Sequence, residues 1–205
     1  MTKMGEDSAR REERELVRAC LRGDALATCR LVARFQRDVY AVCLRLLGHV
    51  QDAEEVTQEV FLRVFRSLRC WDKTRPLRPW ILAIAVNRCR SWLRQRPRTK
   101  PLTDGLQMPR YDGPGESLWE LQEALEEALR QLREEYKLVF VLYHDRHLAY
   151  EEIAEVIGRP VGTVKTWLHR ARLELLDYLR RRGWSNELAV YVPSLLPLDS
   201  SAAGR

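Results

Sequence analysis

Asp52, Glu55, Gln58 and Glu59 recur at three- and four-residue spacings, the interval at which a helix brings side chains onto one face. Acceptor-rich groups gathered in this way suit docking to a basic protein surface. The chemistry then changes sign. From Val60 to Arg98 the sole acid is Asp72, against Arg63, Arg66, Arg69, Lys73, Arg75, Arg78, Arg88, Arg90, Arg94, Arg96 and Arg98. Such a polycation attracts phosphate. Within it Trp80, Asn87, Arg90 and Arg94 share one helical face. Guanidinium and amide groups can hydrogen-bond base edges or phosphates, and an indole is a platform for an unstacked base. A third group, Thr163, Lys165, Thr166, His169 and Arg170, points away from the apolar face of its own helix. Plainer readings stand beside these. The acids could merely cap a helix and favour the positive end of its dipole, Trp80 could be core with the arginines a solvated face, and His169 could be an unpaired surface residue.

The elements that must position these groups are helices. At ~100° per residue, Val56, Val60, Phe61, Val64, Phe65 and Leu68 fall on one half-turn, opposite Glu55, Gln58, Glu59 and Leu62. Asp52 followed by Glu55 resembles a capping box and predicts a helix that begins at Asp52. Residues 79–96 set Trp80, Ala83, Asn87, Arg90 and Arg94 against Ile81, Leu82, Ile84, Ala85, Cys89 and Leu93. Arg88 falls inside that apolar arc and must snorkel or pair. Pro76 and Pro79 forbid a continuous helix through the connector 70–79. Upstream, Asp24 is placed to cap a helix that ends at Gly48. Residues 98–117, rich in proline and glycine, read as a flexible linker.

From Leu118 a leucine stripe resumes with Leu121, Leu125, Leu129 and Leu132, followed by an apolar run from Leu138 to Tyr143. Tyr150 to Gly158 reads as a two-turn helix stopped by glycine, and Pro160 suits the first turn of the next helix, which buries Val161, Val164, Leu168, Ala171 and Leu175. A short helix, a tight turn and a long basic helix form the geometry that seats the second helix in a major groove. Trp167 lies at the edge of the buried arc.

The 205 residues carry a net charge of +6, unevenly spread: residues 1–97 hold twenty basic and twelve acidic side chains, residues 118–183 eleven and twelve. Cys20, Cys29, Cys43, Cys70 and Cys89 form no CxxC pair, so neither a disulfide framework nor a zinc site is expected, and most should be reduced and buried. His49, His144, His147 and His169 show no metal-binding HExxH spacing, and no phosphate- or dinucleotide-binding glycine motif occurs. No catalytic residue, metal or cofactor is therefore expected. Neither a signal peptide nor an apolar stretch of membrane-spanning length is evident, so the expected location is cytoplasmic. The expected fold is all-α. It comprises a charged leader (1–15), a helical domain (16–97), the linker (98–117), a second helical domain ending in a helix-turn-helix (118–183), and a tail (184–205).

Two blocks make a family resemblance specific. Asp52-Ala53-Glu54-Glu55 with Gln58, Glu59 and Phe61, followed by Trp80-Ile81-Leu82-Ala83-Ile84-Ala85-Val86-Asn87, resembles the polymerase-binding and promoter-melting helices of the extracytoplasmic-function (ECF) sigma factors, small members of the bacterial sigma-70 family. Gly162-Thr163-Val164-Lys165-Thr166 with Leu168 and Arg170-Ala171-Arg172 resembles their carboxy-terminal recognition helix. The chain departs from the pattern at Ala149, where Ser or Thr often caps, at Trp167, where Arg is frequent, and at Ser91, where Asp is usual. The resemblance implies that Asp52, Glu55, Gln58 and Glu59 bind core RNA polymerase. It implies that Trp71, Lys73, Arg75, Arg78, Trp80, Asn87, Arg90 and Arg94 engage the minus-ten DNA, and that Thr163, Lys165, Thr166, His169 and Arg170 read the minus-thirty-five DNA. Bacterial core polymerase and promoter DNA are the expected partners, with an anti-sigma protein as a further partner class. The alternative is a helix-turn-helix regulator that binds its operator without polymerase.

Overall fold

The computed structural model describes residues 3–95 and 116–184, and the expected linker and tail fall almost wholly outside them. Every described element is helical: α1 (Lys3–Leu21), α2 (Ala25–Leu47), α3 (Val50–Ser67), a 3-10 turn (Leu68–Cys70), α4 (Leu77–Gln95), α5 (Glu116–Gln131), α6 (Glu134–Phe140) continuing into a π-helical turn (Val141–Asp145), α7 (Tyr150–Ile157) and α8 (Val161–Arg181). The described residues form two compact units, one drawn from Met1–Leu106 with Glu151–Arg159, the other from Gln107–Tyr150 with Pro160–Arg205.

In the first unit α2 packs on both α3 and α4, α3 packs on α4, and α1 lies along α2. Asp24 caps α2 as expected, accepting from the amides of Leu26 at 2.9 Å and Ala27 at 3.0 Å, a contact that stabilises a helix by ~1 kcal/mol. The helix ends where Gly48 takes a left-handed φ of 70°. Val39, Val42, Leu47, Val56, Val60 and Ile81 are completely buried, so the periodicities of three helices converge on one core.

Two boundaries differ from those expected. The helix of the acidic block begins at Val50, with His49 in the cap position. Asp52 thus lies in the first turn and does not open a capping box. Residues 3–15 of the charged leader belong to α1, which runs on to Leu21, and Glu13 is only 8 % exposed. One Glu13 oxygen accepts from the Leu77 amide at 3.1 Å and the other from Arg34 at 3.5 Å. A buried carboxylate from α1 therefore satisfies the first amide of α4, which has no partner within its own helix. Pro79, two residues on, costs nothing in hydrogen bonding, since first-turn amides lack intrahelical acceptors anyway.

In the second unit α8 packs on α5 and α6. Leu129 and Leu132 are buried, while Leu121 and Leu125 pack partly covered against Ala124 and Leu179. The apolar run from Leu138 becomes the end of α6 and the π-helical turn, burying Leu138, Val139, Phe140, Val141 and Leu142 in succession. Gly158 takes a φ of 65° between α7 and α8, the left-handed conformation that ends a helix and that L side chains adopt only at a cost. Pro160 stands just ahead of α8 rather than in its first turn, and its carbonyl accepts from Thr163 at 2.9 Å and Val164 at 3.2 Å.

Candidate polymerase- and DNA-binding surfaces

The four residues of the acidic face are not equivalent. Asp52 keeps only 14 % of its side chain exposed and lies 3.8 Å from His49, which makes it chiefly a helix-start residue. Glu55 and Gln58 are exposed. Glu59 is tied to Arg88 of α4, whose side chain is 8 % exposed and whose guanidinium also lies over the Trp92 ring at 5.1 Å. The Arg88 guanidinium holds the Glu59 carboxyl below its ordinary range. Arg88, anomalous in the sequence pattern, has thus found its partner on the acidic helix. Glu54, Glu55 and Gln58 stand exposed on α3 with Leu62, a leucine that is 57 % exposed, and Arg63 and Arg66 are exposed beside and beyond it. An exposed apolar side chain with polar groups around it suits a protein-docking patch.

Along α4, Asn87 and Arg94 are exposed and Trp80 and Arg90 half-buried, on one face as expected. Ser91 donates to the Asn87 carbonyl at 2.9 Å and accepts from Arg94 at 3.2 Å, so the residue found where acid is usual fixes a neighbouring arginine. Ile84 and Leu93, expected in the core, are half-buried. The connector corrects one site assignment. Trp71, expected among the minus-ten DNA residues, is 5 % exposed, so its ring belongs to the core and leaves almost no surface for DNA. Arg78 is largely committed to the fold, donating to Asp38 on α2 at 2.6 Å. Lys73 and Arg75 are exposed, Arg75 lying 3.5 Å from Asp72. Asp72 in turn accepts from the Thr74 amide at 2.9 Å and its hydroxyl at 2.7 Å, a side-chain-closed turn that shapes the segment between the two helices.

On α8, Lys165, Thr166, His169 and Arg170 are exposed and Thr163 is half-buried, opposite buried Val164, Leu168 and Ala171. Three of these side chains are already oriented. The Lys165 ammonium lies 5.5 Å from the centre of the Tyr150 ring, itself stacked on Tyr143. The Thr166 hydroxyl donates to the Gly162 carbonyl at 2.9 Å, and Arg170 donates to the Tyr136 hydroxyl at 3.2 Å. Lys165 and Arg170 keep further donors that can meet an acceptor edge or phosphate. Trp167 is half-buried, as its place at the edge of the arc implied. Behind this surface Arg172 lies over Tyr143 at 5.2 Å and 3.4 Å from His144. Burial, then the positive charge of Arg172, then His147 push the His144 pKa down to about 4.

Among the described residues no group of three His, Cys, Asp or Glu could hold a metal ion, and no helix is long and apolar enough to cross a membrane.

A helical unit with an exposed leucine among polar groups and a basic helix, followed in the chain by a second basic helix after a tight turn, fits the class of DNA-binding proteins with a protein partner. Comparison with known proteins is specific. The sigma-70 region 2 family model matches residues 31–99 and the sigma-70 region 4 model residues 122–175. The ECF RNA polymerase sigma factor SigW of Bacillus subtilis is 32 % identical over 172 residues, covering 78 % of this chain and 92 % of the relative. The ECF RNA polymerase sigma-E factor of Escherichia coli K12 is 29 % identical over 175 residues, covering 79 % and 91 %. Among solved structures, CnrH in complex with the cytosolic domain of CnrY has a TM-score of 0.62 at 26 % identity, covering 82 % of this chain and 97 % of the other. RpoE of Bartonella quintana, solved with the anti-sigma factor NepR, has a TM-score of 0.64 at 20 % identity, covering 74 % and 95 %, and shares the fold. The chain belongs to the ECF sigma factors of the sigma-70 family.

Proposed function

We propose that the protein binds core RNA polymerase through α3 and directs it to promoters that α4 opens and α8 reads. The observation that carries this reading is the distinct chemistry of three helix faces: acceptors beside an exposed leucine on α3, an indole with amide and guanidinium groups on α4, and outward donors on α8. Each matches a different target: a basic protein surface, unstacked bases, and duplex grooves. Glu55, Gln58 and Leu62 form the centre of the polymerase contact, and Asp52 and Glu59 shape its edge. Trp80, Asn87, Arg90 and Arg94, with Lys73 and Arg75, meet the minus-ten strand. Lys165, Thr166, His169 and Arg170 meet the minus-thirty-five duplex, with Thr163 at their margin.

The role is one of binding and positioning, with chemistry left to the polymerase, and its place is the cytoplasm. An anti-sigma protein that covers these surfaces is the natural antagonist, the relation named for the Bartonella quintana protein. Run-off transcription with bacterial core polymerase tests the reading. Promoter-dependent transcripts should require both components, and the protein alone should not select promoter DNA. Tight, selective binding of duplex promoter without polymerase would reject it.

A further inference from the structure

Cys43 on α2 and Cys89 on α4 lie with their sulfurs 3.6 Å apart, Cys89 donating to Cys43, and neither has any exposed surface. Of the remaining cysteines, Cys29 and Cys70 are exposed and Cys20 is half-buried. Core cysteines commonly serve as small apolar fillers, but filling alone does not call for two thiols in contact across a helix interface. We propose that Cys43 and Cys89 form a reversible disulfide site that locks α2 to α4.

A disulfide requires the sulfurs to close to about 2.0 Å, an approach of ~1.5 Å. The pair is chemically asymmetric. Contact with Cys89 favours the Cys43 thiolate, burial opposes it and the Thr57 hydroxyl favours it to a smaller extent, whereas contact with Cys43 and burial push the Cys89 thiol up. Either sulfur can attack once deprotonated, and attack by Cys43 is one route. With hydrogen peroxide as oxidant, the Cys43 thiolate attacks one peroxide oxygen, the O–O bond breaks, and water leaves once the second oxygen is protonated. The Cys89 sulfur then displaces hydroxide from the resulting Cys43 sulfenic acid, and the thiol proton of Cys89 completes a second water. Two thiols are oxidised and one peroxide is reduced to two waters.

Burial makes the reaction depend on transient opening of the unit, in both directions, so the bond should form slowly and resist reduction once made. Its ring encloses all of α3, tying together the two helices that flank it. The proposal does not depend on which partners α3 and α4 bind, because its readouts are covalent and thermal.

The test uses the full chain with Cys20→Ser, Cys29→Ser and Cys70→Ser, which leaves only the buried pair. After treatment with hydrogen peroxide and alkylation in denaturant, mass spectrometry should find a product lighter by two hydrogens, unalkylated, with the peptides of Cys43 and Cys89 joined. Its Tm should rise by ~5 °C or more and return on treatment with dithiothreitol. Adding Cys89→Ala should abolish both effects while the protein stays folded. Complete alkylation of both cysteines, or sulfinic acid at either without a cross-link, would overturn the proposal.

Discussion

Two carboxylates one turn apart on α3 carry opposite expectations. Glu55 is exposed, so Glu55→Lys should leave thermal stability within ~0.5 kcal/mol of the parent while slowing association with core polymerase and altering its salt dependence. Glu59→Lys should do something more, because it removes the partner of an arginine that is 8 % exposed and sets a second cation against it. Leaving a buried charge unpaired is costly, and discounting for the part-exposure of Glu59, the loss should be about 2 kcal/mol. Thermal melts and co-purification with polymerase, run on both variants, separate a docking residue from a structural one. The sequence pattern put these two acids on one face and flagged Arg88 as a misfit. It could not join Arg88 to Glu59, because that pairing depends on how α3 and α4 lie against each other. His144 supplies a pH test. Its pKa of about 4 in the folded protein, against an ordinary 6.5, means that below pH 6.5 the unfolded chain takes up a proton that the folded chain refuses. Stability from this group is intact above about pH 6.5 and falls as pH drops toward 4, by up to ~3 kcal/mol. In urea unfolding between pH 7 and 4, His144→Phe should flatten the decline; an unchanged slope would refute this assignment.

At the scale of elements, α4 depends on α1. Glu13→Ala should strip the Leu77 amide of its buried acceptor and leave Arg34 without its carboxylate, lowering stability by ~1–3 kcal/mol. Glu13→Gln, which keeps an acceptor, should lose less, and urea unfolding of the two variants distinguishes lost hydrogen bonding from lost packing. The helices themselves were largely legible in the sequence, since Asp24, Gly48, Gly158 and the apolar spacings of α2, α3 and α8 are local signals with local consequences. The start of α3 was misread by two residues because Asp52 followed by Glu55 imitates a cap, while His49 offers no capping signature. The burial of Trp71 and the anchoring of Arg78 by Asp38 were not legible at all, since an irregular connector has no period from which to read a face. The same limit hid Glu13, whose partner stands 64 residues further along the chain.

Across the whole molecule, the two DNA-facing helices should fail in different ways. Alanine at Trp80, Asn87 and Arg90 should depress transcription from a duplex promoter much more than from one with a pre-melted bubble, because stacking of an extruded base is worth ~1–3 kcal/mol. Equal losses on both templates would reassign those residues to general affinity. Alanine at Lys165 or Arg170 should act at the upstream element. A base-edge contact relaxes preference at one position, whereas a phosphate contact weakens all sequences evenly and lowers the salt slope. Selection from a library randomised upstream resolves the two, and preference unchanged in both variants would remove α8 as the reader. The buried acid of α1 also bears on how the molecule can be divided. Similarity to sigma-70 region 2 begins at residue 31, after both α1 and the carboxylate on which the first amide of α4 relies. The edge drawn by kinship and the edge drawn by the core thus differ by a whole helix, and a fragment cut at the former would carry α4 with its opening turn untethered.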